Sequence, residues 1–318
     1  VGRYVARRLL VAVPTLLVLS FLIFTLVSAA PGDPAQELAD RLAGGGNQAT
    51  PADVARARHE LHLDRPFWVQ YGTWLKGLVT GDLGLSFSKK RPVSQVVAER
   101  VRPTVEVAST ALALILVLSI PLGIVAAVFH RRWPDQLLRV LALIGASMPS
   151  FFFAYLLIIL FVTRLHLLPV AGRVGWKSLV MPAVVVAVVP TAVISRLLRS
   201  SLLEVLGEDY VRTARSKGAG RLGVIVRHTL RNAAIPVVTY LGTVLGYLLE
   251  GVIITEFIFA WPGLGSLTFE AISQRDYPVI QAVVMLSGAV YLAVNLAVDV
   301  SYALLDPRIR LEGSVERV

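Results

Sequence analysis

Few residues in this chain have chemistry to offer. Glu250 and Glu256 are the acids nearest a charge-poor run that begins at Asn232. A carboxylate in hydrocarbon is costly, so it faces a cavity, water or a partner. Glu250 is the deeper of the two and fits a path-lining acid or half of an ion pair. Glu256 is expected near water at the end of the run, with path lining as its alternative. Trp261 follows, and fits an interface anchor or gate plug better than a stacking platform. The chain has no cysteine, which excludes disulfides, thiolate metal sites and a cysteine nucleophile. Its five histidines form no HisGluXaaXaaHis pair, and no GlyXaaXaaXaaXaaGlyLysSer/Thr phosphate loop occurs. No Ser–His or paired-Asp arrangement falls inside an apolar run. No catalytic, cofactor-binding or metal-ligating constellation is therefore expected.

The other distinctive stretch is basic and runs from Glu208 to Pro236. Tyr210, Val211 and Ala214, then Leu222, Ile225, Val226 and Thr229, recur at helical spacing. Arg212, Arg215, Lys217, Arg221 and Arg227 fall mainly on other faces. Gly218 and Gly220 separate the two groups, and glycine permits the left-handed turn that ends a helix. The pattern predicts a short helix, a glycine turn and a second helix leading to Asn232. Such a hairpin can fill a groove in another protein. It can equally lie on anionic lipid through its arginines. Periodicity alone does not choose between them.

The elements that position these residues read as membrane spans. Of the 318 residues, 55% are hydrophobic and 16% charged, against ~25% in an ordinary soluble domain. The net charge of +10 sits in clusters at the ends of apolar runs, as the positive-inside rule requires, which argues against nucleic-acid binding. The expected organisation is an all-α polytopic membrane protein of about six spans. A cytoplasmic segment (1–8) leads into span one (9–30) and an extracytoplasmic helical insertion (31–104). Spans two (105–129), three (140–163) and four (178–195) follow. A cytoplasmic docking loop (196–231) carries eight Lys/Arg. Span five (232–255), an external re-entry loop (256–276), span six (277–298) and a cytoplasmic tail (299–318) complete the chain. Span one is read as uncleaved, because it exceeds the ~7–15 apolar residues of a signal peptide and no AlaXaaAla site is clear. The short loop with Arg164, Arg173 and Lys177 is the one mild violation of the charge rule.

Within the insertion, Thr50, Pro51 and Asp53 mark a helix start. A second helix is expected over 66–79, where Trp68, Tyr71, Leu75 and Leu78 form one stripe. The stripe fits either a small core or aromatics at the bilayer interface.

The basic stretch resembles the loop shared by permease subunits of ABC importers: a GluAlaAla triplet, a glycine four residues on, then hydrophobic-Xaa-Leu-Pro. Gly218 matches the glycine, Ala214 the second alanine and Leu230 the leucine. Arg212, Thr213, His228 and Arg231 depart from the general pattern. The chain instead carries TyrValArgThrAlaArgSerLysGly (210–218) and ArgAsnAlaAlaIlePro (231–236), forms typical of the dipeptide/oligopeptide/nickel branch. TyrValAlaArgArgLeu (4–9), ProGlyAspPro (31–34), GlyAspLeuGlyLeuSer (81–86), ProSerPhe (149–151), TrpProGlyLeuGly (261–265), ArgAspTyrPro (275–278), AsnLeuAlaValAsp (295–299) and LeuAspProArgIleArg (305–310) extend the resemblance over nearly the whole chain. Glu250 stands where that branch has a small residue.

The resemblance implies one of two different pore subunits, the one with the large external insertion, in a bacterial inner membrane with both termini cytoplasmic. It implies a second homologous permease, two ATP-binding cassette subunits and an extracytoplasmic substrate-binding protein as partners. ATP and Mg would be used by the cassette subunits, and this chain would bind no cofactor. The docking surface would comprise Tyr210, Arg212, Thr213, Ala214, Arg215, Lys217, Gly218, Gly220 and Leu230. The implied cargo is a di- or oligopeptide, with nickel or another small solute as the alternative within the branch. A stand-alone secondary transporter is the alternative from another class.

Overall fold

The computed structural model describes residues 2–30, 32–42, 49–60, 63–216, 218, 220 and 223–305. Among them the ordered elements are helices, and the only strand-like pairing is a bridge between Leu85 and Pro92. The chain falls into two units: residues 1–103 with 262–318, and residues 104–261.

In the first unit, helix α1 (Gly2–Ser28) is followed by three short helices, α2 (Pro34–Leu42), α3 (Pro51–Glu60) and α4 (Phe67–Thr80). Helix α3 begins in a capping box. The Thr50 backbone N–H donates to Asp53 Oδ2 (3.1 Å), and the Asp53 N–H donates back to Thr50 Oγ1 (3.3 Å). Such a cap contributes about 1 kcal/mol. Helices α2 and α3 close a small core around Ala35, Ala39 and Ala57, and Arg58 pairs with Asp33. The stripe on α4 packs on α1. Phe21 and Phe24 meet Phe67, Trp68, Tyr71 and Trp74 at ring separations of 5.4–6.2 Å, and Ser20 Oγ lies 2.8 Å from Tyr71 Oη. The aromatics are thus bound to an apolar helix long enough to cross a bilayer.

Helix α5 (Val93–Val128) is 36 residues long, so its backbone starts twelve residues before the expected second span. Its first turns join a core with Leu267, Ala271, Val279, Ala282 and Val283. These come from α12 (Leu264–Ser273) and α13 (Tyr277–Leu305). Helix α13 also packs on α1, so closely that a Cβ at Gly288 would sit 2.3 Å from Leu19 Cδ2.

The second unit is built around α8 (Lys177–Val205), where Ala183, Val186, Ala187, Ile194, Leu198 and Leu202 are buried. Pro182 and Pro190 lie inside it without ending it, because neighbouring helices surround the freed carbonyls. Helices α6 (Trp133–Ser147), α7 (Ser150–Leu157) and α11 (Ile235–Ile258) all pack on α8. Helix α7 continues as a wider π-helical turn, Ile158–Arg164.

Two boundaries differ from expectation. The run 140–163 is not one rod: α6 and α7 meet at 109° around Met148 and Pro149. Proline lacks the N–H that would continue the ladder, and it forces the preceding residue out of the helical region. Met148 is extended accordingly, at φ −88° and ψ 127°. The segment expected as a loop from residue 196 also starts later. Helix α8 runs on through Arg196 and Arg199 to Val205, because its buried face continues to Ser201 and Leu202.

Four described helices are long and apolar enough to cross a membrane: Arg8–Ser28 within α1, α5, α8 and Tyr277–Val298 within α13. The bent α6–α7 pair is a fifth candidate.

Candidate functional site

The basic stretch folds as α9 (Asp209–Ser216), the glycine region, a π-helical turn (Val224–Thr229) and α10 (Leu230–Ala233). Val211 and Ile225 are fully buried and anchor it to the second unit. Between them α9 presents Asp209, Arg212, Thr213 and Ser216 to the exterior. Arg212 lies 3.6 Å from Asp209 on the same helix, and both side chains are largely exposed. Thr213 and Ser216 turn their hydroxyls back to the carbonyls of Asp209 and Arg212. Tyr210 is half exposed, and its hydroxyl accepts from Asn232 Nδ2 at 2.9 Å. That bond ties the first helix of the segment to the last.

Of the two turn glycines, Gly218 alone is left-handed, at φ +86°. A Cβ there would meet nothing within 4 Å, so it is the backbone angle that asks for glycine. Gly220 is open but has no positive φ. The second piece is not the ordinary helix the spacing implies. Its turn is wide, and Thr229 Oγ1 bonds the Val224 carbonyl five residues back. Leu230, grouped with the docking residues, is half-buried against the core. Ala214 is half-buried as well. The side chains of Arg215, Lys217 and Glu250 lie outside the described residues.

Glu256 departs from its expected place near water. It is fully buried in the last turn of α11, where the Thr104 hydroxyl donates to its Oε1 at 2.6 Å. A buried carboxyl needs such a partner, because desolvation without one is costly. The Trp261 N–H donates to the Glu256 carbonyl, and the Trp261 ring is 2% exposed in the core beside Val107 and Ala111. Trp261, expected as an interface anchor or gate plug, is a buried ring in this core. Glu106 pairs bidentately with Arg173, at 2.6 and 2.9 Å. That contact answers the charge violation in the short loop, since Arg173 carries its own counter-ion.

Two polar nodes were not visible from spacing. In the first unit, buried Asp276 accepts four bonds from residues 86–88. The Ser86 and Ser88 hydroxyls donate at 2.6 Å each, and the Phe87 and Ser88 N–H groups at 3.1 and 2.9 Å. GlyAspLeuGlyLeuSer and ArgAspTyrPro are thus two halves of one structure. The loop they hold carries Lys89, which reaches Glu270 at 3.1 Å, and Arg91, which pairs with Glu99. In the second unit, buried Asp135 accepts from Arg199 Nε and Nη2 at 2.6 and 2.8 Å and from the Arg131 N–H at 2.9 Å. His130 Nδ1 sits 3.0 Å from Arg199 Nη2. This node clamps the basic turn 130–135 to the extended end of α8.

Among the described residues no three His, Asp or Glu side chains converge as metal ligands. The site is instead an exposed basic helical segment on a buried anchor, beside a bundle of apolar helices. Comparison with known proteins accords with that arrangement. Residues 119–311 match the family "binding-protein-dependent transport system inner membrane component", and residues 1–108 match its N-terminal counterpart. The chain is 41% identical over 307 residues to the glutathione transport system permease protein GsiC of Escherichia coli K12, covering 96% of this chain and 98% of that one. The GsiC proteins of E. coli O6:H1 and Salmonella typhimurium LT2 give the same identity and coverage. The chain belongs to the binding-protein-dependent transport system inner membrane components: it is a multi-pass inner-membrane permease of an ABC importer, working with ATPase and binding-protein partners.

Proposed function

We propose that this permease is one of two different pore subunits of an importer for short peptides. The observation that carries the reading is its end-to-end similarity to permeases named for transport of glutathione, a tripeptide. In this reading six spans cross the membrane: α1, α5, the bent α6–α7 pair, α8, α11 and α13. Helix α11, at 24 residues, is about 36 Å long and reaches across the ~30 Å hydrocarbon core. Both termini and the segment after Val205 are cytoplasmic, and the insertion after α1 faces the binding protein outside. A second, homologous permease completes the pore.

Two cassette subunits bind and hydrolyse Mg-ATP and grip α9 through Arg212, Thr213 and their neighbours. Their closure moves α9, and the buried anchor at Val211 and Ile225 passes that movement to α8 and α11. Substrate released outside then meets an inward-opening path. We assign Glu250 to that path, where a carboxylate can hold a peptide amino group. Glu256, bonded to Thr104, holds the end of α11.

The test is co-reconstitution of the chain with its second permease, cassette subunits and binding protein in liposomes. ATP-dependent uptake of a labelled tripeptide is expected, and liposomes holding this chain alone should move none. In the same complex, a cysteine introduced by Arg212→Cys should cross-link to a cassette subunit. Uptake by the chain alone, or uptake of Ni²⁺ with no peptide transport, overturns the reading.

A further inference from the structure

A cleft of about 210 Å³ opens between α5, α6 and α8 in the second unit. Its walls include Leu122, Ala126, Ala142 and Leu143, and its rim carries Arg139 and Arg196. The only acid of the adjoining node, Asp135, is buried and already engaged by Arg199 and the Arg131 N–H. Arg139 lies 3.7 Å from Asp135 at its nearest and is half exposed, and Arg196 is exposed. The mouth therefore carries net positive charge over a carbon-lined floor. The same helix, α6, leaves Leu137, Val140, Leu141 and Ile144 about half exposed. A soluble anion would use the arginines and leave the floor empty. A neutral chain would fill the floor and leave the arginines unused.

We propose that this cleft is a binding site for an anionic phospholipid. The head group lies against Arg139 and Arg196, and the first part of an acyl chain lies along Leu122, Ala126, Ala142 and Leu143. Charge complementarity selects the occupant, and the exposed apolar face of α6 continues the floor into the bilayer. Basic pockets between membrane helices on the cytoplasmic side hold head groups in this way. Asp135 keeps Arg199 pointing at the node, so that Arg139 and Arg196 make the head-group contact. The inference rests on the membrane placement of the family and not on the peptide reading.

The test uses the whole transporter complex purified in mild detergent. Retention of phosphatidylglycerol is compared with that of phosphatidylcholine by native mass spectrometry. Wild type should keep phosphatidylglycerol preferentially. The double variant Arg139→Gln/Arg196→Gln should bind it about thirtyfold more weakly, from the loss of two basic contacts. Arg139→Lys/Arg196→Lys should restore most of the binding. Ala142→Phe, which keeps the charges and fills the floor, should also weaken it. Equal retention of the two lipids by wild type overturns the proposal without reference to any variant. Displacement of the lipid by millimolar inorganic phosphate indicates a simple anion site and overturns it as well. So does unchanged retention in a folded glutamine variant, which would mean that a partner subunit covers the cleft.

Discussion

Replacing Asp276 with alanine should free the loop at residues 84–92 while the rest of the first unit stays folded. The aspartate accepts four bonds from Ser86, Phe87 and Ser88, two of them at 2.6 Å. Hydrogen bonds to a charged group contribute roughly 1.5–3 kcal/mol each, but four to one carboxylate are not additive. Each buried donor left without its acceptor costs about 1–3 kcal/mol. Opening the loop returns the serine hydroxyls and the two N–H groups to water and recovers part of that, so about 3 kcal/mol is the working figure for local opening. At ~1.4 kcal/mol per decade, the open population rises about a hundredfold. The loop provides its own reporter, because trypsin cuts after Lys89 and Lys90 but not between Arg91 and Pro92. When opening is fast relative to cleavage, the cleavage rate follows the open population. Purified complex carrying Asp276→Ala should therefore be cut in this loop about a hundred times faster than wild type. Asp276→Asn, which keeps the shape and one acceptor oxygen, should fall between. Cleavage of a folded Asp276→Ala protein at the wild-type rate would show that the carboxylate does not hold the loop.

Three further substitutions test other parts of the architecture. Gly218→Val forces a β-branched residue to φ +86°, at a cost of about 1–2 kcal/mol in backbone strain with no clash, and should lower peptide uptake per ATP hydrolysed while membrane insertion is unchanged; normal coupling in that variant refutes the role of α9. Arg199→Gln strands the buried Asp135 carboxylate and should destabilise the protein by about 3–5 kcal/mol in thermal unfolding, with Asp135→Asn/Arg199→Gln recovering part of the loss; additive single effects would show that the pair does not act as a unit. Gly123→Val places a Cβ 3.0 Å from both the Leu198 side chain and the Ser195 carbonyl, so α5 and α8 must part, lowering stability by about 1–3 kcal/mol; unchanged melting would mean that the helices adjust freely.

The helical class and the spans with long charge-free runs were legible because hydropathy is a local property. The capping box at Thr50 and Asp53 was legible for the same reason, since its partners are three residues apart. The Asp276 node was not: its donors stand about 190 residues earlier, and no periodicity links them. Its two motifs are separate stretches of sequence, and only the fold joins them. Glu256 was misplaced because sequence gives depth along a helix but not its neighbours, and Thr104 supplies the bond that water was expected to make. The second half of the basic segment was read with a 3.6-residue period. The chain there widens to a π turn over Val224–Thr229, a departure that apolar spacing does not reveal.

The bend at Pro149 also bears on how the protein is made. Helix α6 and the stretch from Ser150 to Arg164 are each 15 residues, about 22 Å, and neither reaches across ~30 Å of hydrocarbon alone. A nascent chain ending at Arg164 would offer the insertion machinery two short pieces at 109° to each other and no complete span. Both pieces pack against α8, which is synthesised later. On the six-span reading proposed above, stable integration of the bent pair waits for α8 to emerge, and the segment from Trp133 to Val205 enters the bilayer as one cooperative unit instead of one helix at a time.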